Sequence, residues 1–107
     1  INLSNHDIYL NVAGGLKIKE TATDLAVCLA IVSAYLEKSI SQNILILGEV
    51  GLSGEVRTVS QLDRRIKEAS KLKFNKIITA KNQHIRNIPN TEIIQVSNIA
   101  EAIRIIV

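Results

Sequence analysis

The chain has 107 residues, of which 47% are apolar and 21% charged, a composition too rich in Val, Ile, Leu and Ala for disorder and sized for a single core. Its one cysteine excludes an internal disulfide framework and fits a reducing, cytoplasmic setting, while the most apolar stretch, residues 25–36, is too short to span a bilayer and argues against a membrane role. The net charge of +3 is unevenly spread: residues 57–86 carry nine Lys/Arg against two acids, and the remainder carries four against eight.

In chain order, Asp7 to Ala13 alternates as a strand with Ile8, Leu10 and Val12 on one face, and Gly14-Gly15 breaks it. Thr21-Ala-Thr-Asp24 reads as a capping box opening a helix over residues 22–38, whose lack of a polar face predicts burial on most sides. Ile44 to Leu47 is a buried strand; the glycine-punctuated turn Gly48 to Gly54 then leads into a second strand at Glu55 to Val59, predicting a hairpin of the two. From Gln61 to Lys73 the positions Leu62, Ile66, Ala69 and Leu72 form an apolar stripe, with Arg64, Lys67 and Lys71 on the opposite face. Strands follow at Lys76 to Ala80 and Glu92 to Val96, separated by a polar loop, and Asn98 caps a last helix to Ile106. Strands alternating with helices after a hairpin-rich half predict an α/β fold, a mixed sheet with helices packed against it.

Several features that invite chemistry have plainer readings. Gly48, Gly51 and Gly54 resemble a phosphate-cradling loop in spacing only, because no Gly-Lys-Ser/Thr follows and Glu49 and Glu55 flank the turn. His6 and His84 have no ligand spacing and Cys28 lies in the most apolar helix, so no metal site is read and the thiol is expected to fill core. The basic run is different. Lysines and arginines on one rigid face can neutralise backbone phosphates, and the scarcity of aromatics points to backbone contact, not base stacking. The bland alternative is a solvated helix face.

Read together, Asp7-Ile-Tyr-Leu-Asn-Val-Ala-Gly-Gly15, Glu20-Thr-Ala-Thr-Asp-Leu-Ala26, Ala30-Ile-Val-Ser-Ala34 and Gly48-Glu-Val-Gly-Leu-Ser-Gly-Glu-Val56 resemble, over essentially all 107 residues, the C-terminal Lon-protease-like domain of the RadA (Sms) family of bacterial DNA repair proteins. The resemblance implies a Lon-protease-like (ribosomal protein S5 domain 2-like) fold without the protease. Lon peptidases use a serine nucleophile and a lysine base, and by similarity those positions are Ala22 and Asp63, neither of which can do that work. The resemblance further implies a RecA-like ATPase acting in recombination and branch migration. Its ATP, magnesium and zinc would be held in upstream parts, its Lon-like domains would stack in a hexameric ring, and DNA and RecA would be its partners. Candidate DNA contacts are Arg57, Arg64, Arg65, Lys67 and Lys71, assigned from charge and helix phase. A purely structural, ring-forming role and residual serine peptidase activity near Thr21 and Thr23 are the competing readings. With no methionine and Ile1 in first place, the chain is expected to be one domain, residues 1–107, cut from a longer protein.

Overall fold

A computed structural model of the chain describes residues 21–40 and 43–106. The strand expected at Asp7 to Ala13, the Gly14-Gly15 break and His6 lie outside the described residues. The elements are α1 (Asp24–Tyr35) after a 3-10 turn at Thr21–Thr23, β1 (Ile44–Leu47), β2 (Glu49–Val50), β3 (Val56–Arg57), α2 (Leu62–Ala69) continued by a 3-10 turn at Ser70–Leu72, β4 (Lys76–Ala80), β5 (Glu92–Val96) and α3 (Ile99–Ile106). Among the described residues β1, β4 and β5 form one parallel sheet in the order β1-β4-β5, and β2 and β3 form a separate antiparallel ribbon. This is the α/β class expected.

The sheet's continuous apolar strands explain the layering. Successive side chains on a strand point to opposite faces, so β1 and β4, apolar at nearly every position, need cover on both. On one face Ile46, Ile78, Ala80 and Val96 pack with Leu25, Ala26 and Leu29 of α1 and Ala102 of α3. On the other, Leu47 and Ile77 pack with Leu62 and Ile66 of α2, Ala22 and Val59, closed by Phe74, Ile85 and Ile88. Ile77 and Ile78, adjacent in sequence and both fully buried, thus serve two separate cores, each side chain contributing about 1.5–3 kcal/mol.

Several local expectations are corrected. The hairpin is formed by β2 and β3, pairing Glu49 with Arg57 and Val50 with Val56, whereas β1 pairs with β4. Gly48 makes this switch: its amide donates to the Ala22 carbonyl and its carbonyl accepts from the Leu25 amide, and a Cβ there would stand 2.9 Å from Val56. The expected second strand keeps only Val56–Arg57, with Glu55 in a lone bridge to Asn98. Helix α1 stops at Tyr35, before the expected Lys38, because Glu37 adopts a left-handed φ of 56° and the amides of Glu37 and Lys38 turn back to the carbonyls of Ala34 and Ser33. It is also less enclosed than its hydropathy suggests, with Ile31 and Tyr35 51% and 75% exposed. The capping box at its start gives way to a tertiary contact, since the Asp24 carboxylate accepts from the Val50 amide of the ribbon at 3.3 Å. The last correction is Leu72, which leaves the stripe of α2 and stands 75% exposed because the helix tightens to a 3-10 turn at Ser70 and its phase shifts.

Helix α3 is capped as expected by Asn98, whose Oδ1 accepts from the Glu101 amide at 2.9 Å, while the Glu101 carboxylate accepts from the Ser97 amide at 3.3 Å. The long loop from β4 to β5 is held by two glutamines. Gln83 accepts from the Val59 amide and donates to the Val59 carbonyl, while Gln95 donates to the carbonyls of Ala80 and Gln83.

Beside them sits an anomaly. Thr79, fully buried in β4, has a hydroxyl without a hydrogen-bond partner among the described residues. A buried hydroxyl left unpaired costs roughly 1–3 kcal/mol, and valine has the same branched shape without that cost. Thr79→Val is therefore expected to stabilise the fold by about 1 kcal/mol, read as a higher urea midpoint with an unchanged m-value; a lower midpoint would show that the hydroxyl is satisfied in solution.

Candidate functional site

The residues singled out from sequence separate into three groups in space. The first is the pair of degenerate positions. Ala22 sits in the 3-10 turn before α1, 2% exposed and packed with Leu47, Val59 and Leu62. Its carbonyl is held by the Gly48 amide at 3.0 Å. Asp63 follows Leu62 in the first turn of α2 but faces outward, its Oδ2 3.9 Å from Arg86 Nε, with both side chains mostly exposed. Position 22 is thus a methyl group closed into core and position 63 an exposed carboxylate beside an arginine.

The second group is the ribbon. Arg57, on β3, places one guanidinium nitrogen 2.9 Å from Glu55 Oε2 and the other 3.5 Å from Glu49 Oε1. Glu55 also accepts from the Ser53 amide at 3.0 Å, tying down the Gly51 to Gly54 turn. The Arg57 hydrogen bond is the main reason the Glu55 carboxyl is held below its ordinary value, with backbone amides adding to it, and the Arg57 guanidinium is correspondingly raised. A Cβ on Gly51 would stand 2.2 Å from the Glu55 carboxyl carbon, and Gly54 takes a φ of +83°. Two of the three glycines thus serve this tight turn, as the hairpin reading expects, while Gly48 serves a close packing contact. Arg57 is committed to its own ribbon's carboxylates.

The third group is the outer face of α2 and of the 3-10 turn that continues it. Arg64, Lys67 and Lys71 line an open groove of about 440 Å³ together with Glu68. The face exists because Leu62 and Ile66 hold the opposite side of the helix in the core. Within it, Arg64 Nε lies 3.2 Å from Glu68 Oε1, an exposed pair four residues apart. Lys67 and Lys71 have no ion-pair partner among the described residues. Arg65 points elsewhere, its Nε donating to the Ser60 carbonyl at 2.7 Å, which fastens the start of α2. Of the five predicted contacts, the structure gathers three, spends Arg57 in ion pairs and uses Arg65 as a local tie. Glu68 is a member the sequence reading passed over, although its spacing from Arg64 marks a helical ion pair.

Cys28 is half-buried, so it is less enclosed than a core residue; partial desolvation, aided by the Asp24 carboxylate, nevertheless raises its thiol pKa and disfavours the thiolate. Among the described residues no group of His, Cys, Asp and Glu is placed to hold a metal ion, and no helix is long and apolar enough to cross a membrane.

Residues 1–83 match the family described as subunit ChlI of Mg-chelatase. The chain is also similar to curated proteins called DNA repair protein RadA. It is 46% identical to the one from Aquifex aeolicus (strain VF5) over 102 residues, 95% of this chain and 23% of that protein. The relative from Rickettsia bellii (strain RML369-C) is 46% identical over 85 residues, 79% of this chain and 19% of that protein. For Synechocystis sp. (strain ATCC 27184 / PCC 6803 / Kazusa) the identity is 42% over 105 residues, 98% of this chain and 21% of that protein. The chain therefore spans only about a fifth of the length of these relatives.

The ribbon clamp predicts a pH dependence with a definite sign. Because the folded Glu55 pKa lies below its ordinary 4.5, its contribution is present above the ordinary value and lost as pH falls through the lowered one. Denaturant titrations from pH 7 to pH 3 are expected to show wild type more stable than Glu55→Gln at neutrality and the two converging in acid; parallel curves would mean that the clamp does not persist in solution.

Proposed function

The chain belongs to the ChlI-type family, in the lineage of the DNA repair protein RadA, and on that premise we propose that it is a non-proteolytic Lon-like scaffold whose α2 face contacts the DNA backbone. The observation that carries this reading is the groove on α2. Three exposed cations, Arg64 and Lys67 on α2 and Lys71 in the 3-10 turn that continues it, line one open surface. Such an array binds phosphates by releasing their counterions and carries no base information, which suits a protein that must act on DNA of any sequence. In the larger polypeptide the domain serves a RecA-like ATPase in recombinational repair and branch migration. ATP hydrolysis there belongs to the rest of the protein.

Arg57 and Arg65 drop out of the contact set on this reading, since Arg57 meets two carboxylates of its own ribbon and Arg65 is not among the residues that line the α2 surface. Arg64→Gln, Lys67→Gln and Lys71→Gln combined should lower the slope of log affinity against log salt by about two to three units, at about 0.9 per phosphate for duplex DNA. Arg57→Gln should leave that slope unchanged. Fluorescence anisotropy of the full-length polypeptide on a labelled duplex between 50 and 300 mM salt checks both arms. An unchanged slope in the triple variant would remove α2 from the DNA-binding surface.

Ring formation is a second role for the same scaffold, favoured by large apolar side chains left in solvent: Leu52 at the ribbon tip, fully exposed, and Tyr35 and Ile31 on α1. It is compatible with DNA contact, because a ring around DNA needs both a subunit interface and a lumen.

The non-proteolytic part of the reading rests on the closure of position 22. A serine placed there would have its hydroxyl in the core beside Leu47 and Leu62, costing roughly 1–3 kcal/mol and presenting no oxygen to a substrate. Ala22→Ser is expected to lower stability by that amount and to remain unlabelled by a fluorophosphonate serine probe. Labelling would show an accessible pocket and reopen the peptidase reading.

A further inference from the structure

Glu68 lies inside the groove that the three cations line, and its carboxylate is 3.2 Å from the Nε of Arg64, with side chains 68% and 72% exposed. This carboxylate sits where a phosphate oxygen would sit, on the same guanidinium edge. A phosphate that approaches α2 must therefore compete for Arg64 with an anion already tethered one helical turn away. We infer that Glu68 is an internal competitor for the DNA phosphate, holding Arg64 in reserve and keeping the affinity of each domain low. The inference rests on the proposed DNA contact and refines it: Lys67 and Lys71 make the first contacts, and Arg64 joins only when Glu68 is displaced. Exposed pairs of this kind are weak, so the competition attenuates binding without abolishing it. A low affinity per domain suits an assembly in which several copies act on one DNA, where strong single contacts would fix the protein in place and many weak ones add through effective concentration.

The test is a double-mutant cycle in the full-length polypeptide, read by anisotropy on a labelled duplex across a salt series, with thermal melts to confirm that each surface variant folds as wild type. Glu68→Gln is expected to bind at least twofold more tightly at about 100 mM salt and to steepen the salt slope by up to about 0.9, the value of one added phosphate contact. In an Arg64→Gln background the same change should give little or no gain, because its effect runs through the freed guanidinium. Glu37→Gln, which removes a charge at the far end of α1, should do nothing. The inference is overturned if Glu68→Gln binds no tighter than wild type, if its gain survives in the Arg64→Gln background, or if Glu37→Gln gains as much. If neutralising Arg64, Lys67 and Lys71 together leaves binding unchanged, the DNA-contact reading falls with it; if that variant weakens binding while Glu68→Gln fails to strengthen it, only the role of Glu68 is lost.

Discussion

The constraint on which this structure depends is the burial of β1 and β4 on both faces. A strand such as Ile44-Leu-Ile-Leu47 has no polar side to give to water, and neither does Ile77-Ile78. Cover must come from two directions, and the chain supplies it from different stretches: α1 and α3 on one side, α2 with the β4-to-β5 loop on the other. The positions of Leu62 and Ile66 follow from that requirement. So does the location of the charge, because a helix pinned by one apolar stripe must turn its remaining residues outward, and in α2 those include Arg64, Lys67 and Glu68.

A positive face is therefore a by-product of packing until something distinguishes it from ordinary solvated charge. The surrounding pairs supply the distinction. On the ribbon, Arg57 meets two carboxylates and is neutralised locally; at the start of α2, Arg65 is used up on a backbone carbonyl. The groove on α2 holds three cations against one carboxylate, an excess that is not cancelled among the described residues. Isolated surface charges contribute little to stability, so this cluster adds little to the fold itself.

How much of this could be read from the sequence depends on the range over which each signal acts. Strands β4 and β5 were legible to the residue, because runs such as Lys76-Ile-Ile-Thr-Ala80 have unmistakable composition and clear borders. The cap at Asn98 was legible because capping is local. The pairing of β1 was not: Ile44 to Leu47 and Val56 stand close in sequence and invite a hairpin, whereas the preferred partner, Ile77-Ile78, lies thirty residues further on and is chosen by the need to fill a sheet interior. The exposure of Ile31 and Tyr35 was hidden for the opposite reason. Helix α1 is so evenly apolar that its sequence contains no phase, and only packing decides which side faces water. Of the candidate site, the trio on α2 followed from helical phase, while the fates of Arg57 and Arg65 depended on partners that charge counting does not reveal.

The degenerate positions connect these points. A hydrolytic serine needs an exposed oxygen at the end of a helix, and that demand conflicts with a closed core on the α2 side of the sheet. With alanine at position 22 the conflict disappears: its methyl joins Leu47, Val59 and Leu62, and its carbonyl takes the Gly48 amide that redirects the chain from sheet to ribbon. Asp63 lies outside that core, its carboxylate 3.9 Å from Arg86 with both side chains mostly exposed. A helix whose inner side is held by core meets any partner with its backbone already ordered, since ordering cost met during folding is not charged again on binding. The alanine at position 22 and the charges at 64, 67 and 71 belong to one packing arrangement: the core layer that encloses Ala22 also holds Leu62 and Ile66, and with them the inner side of α2.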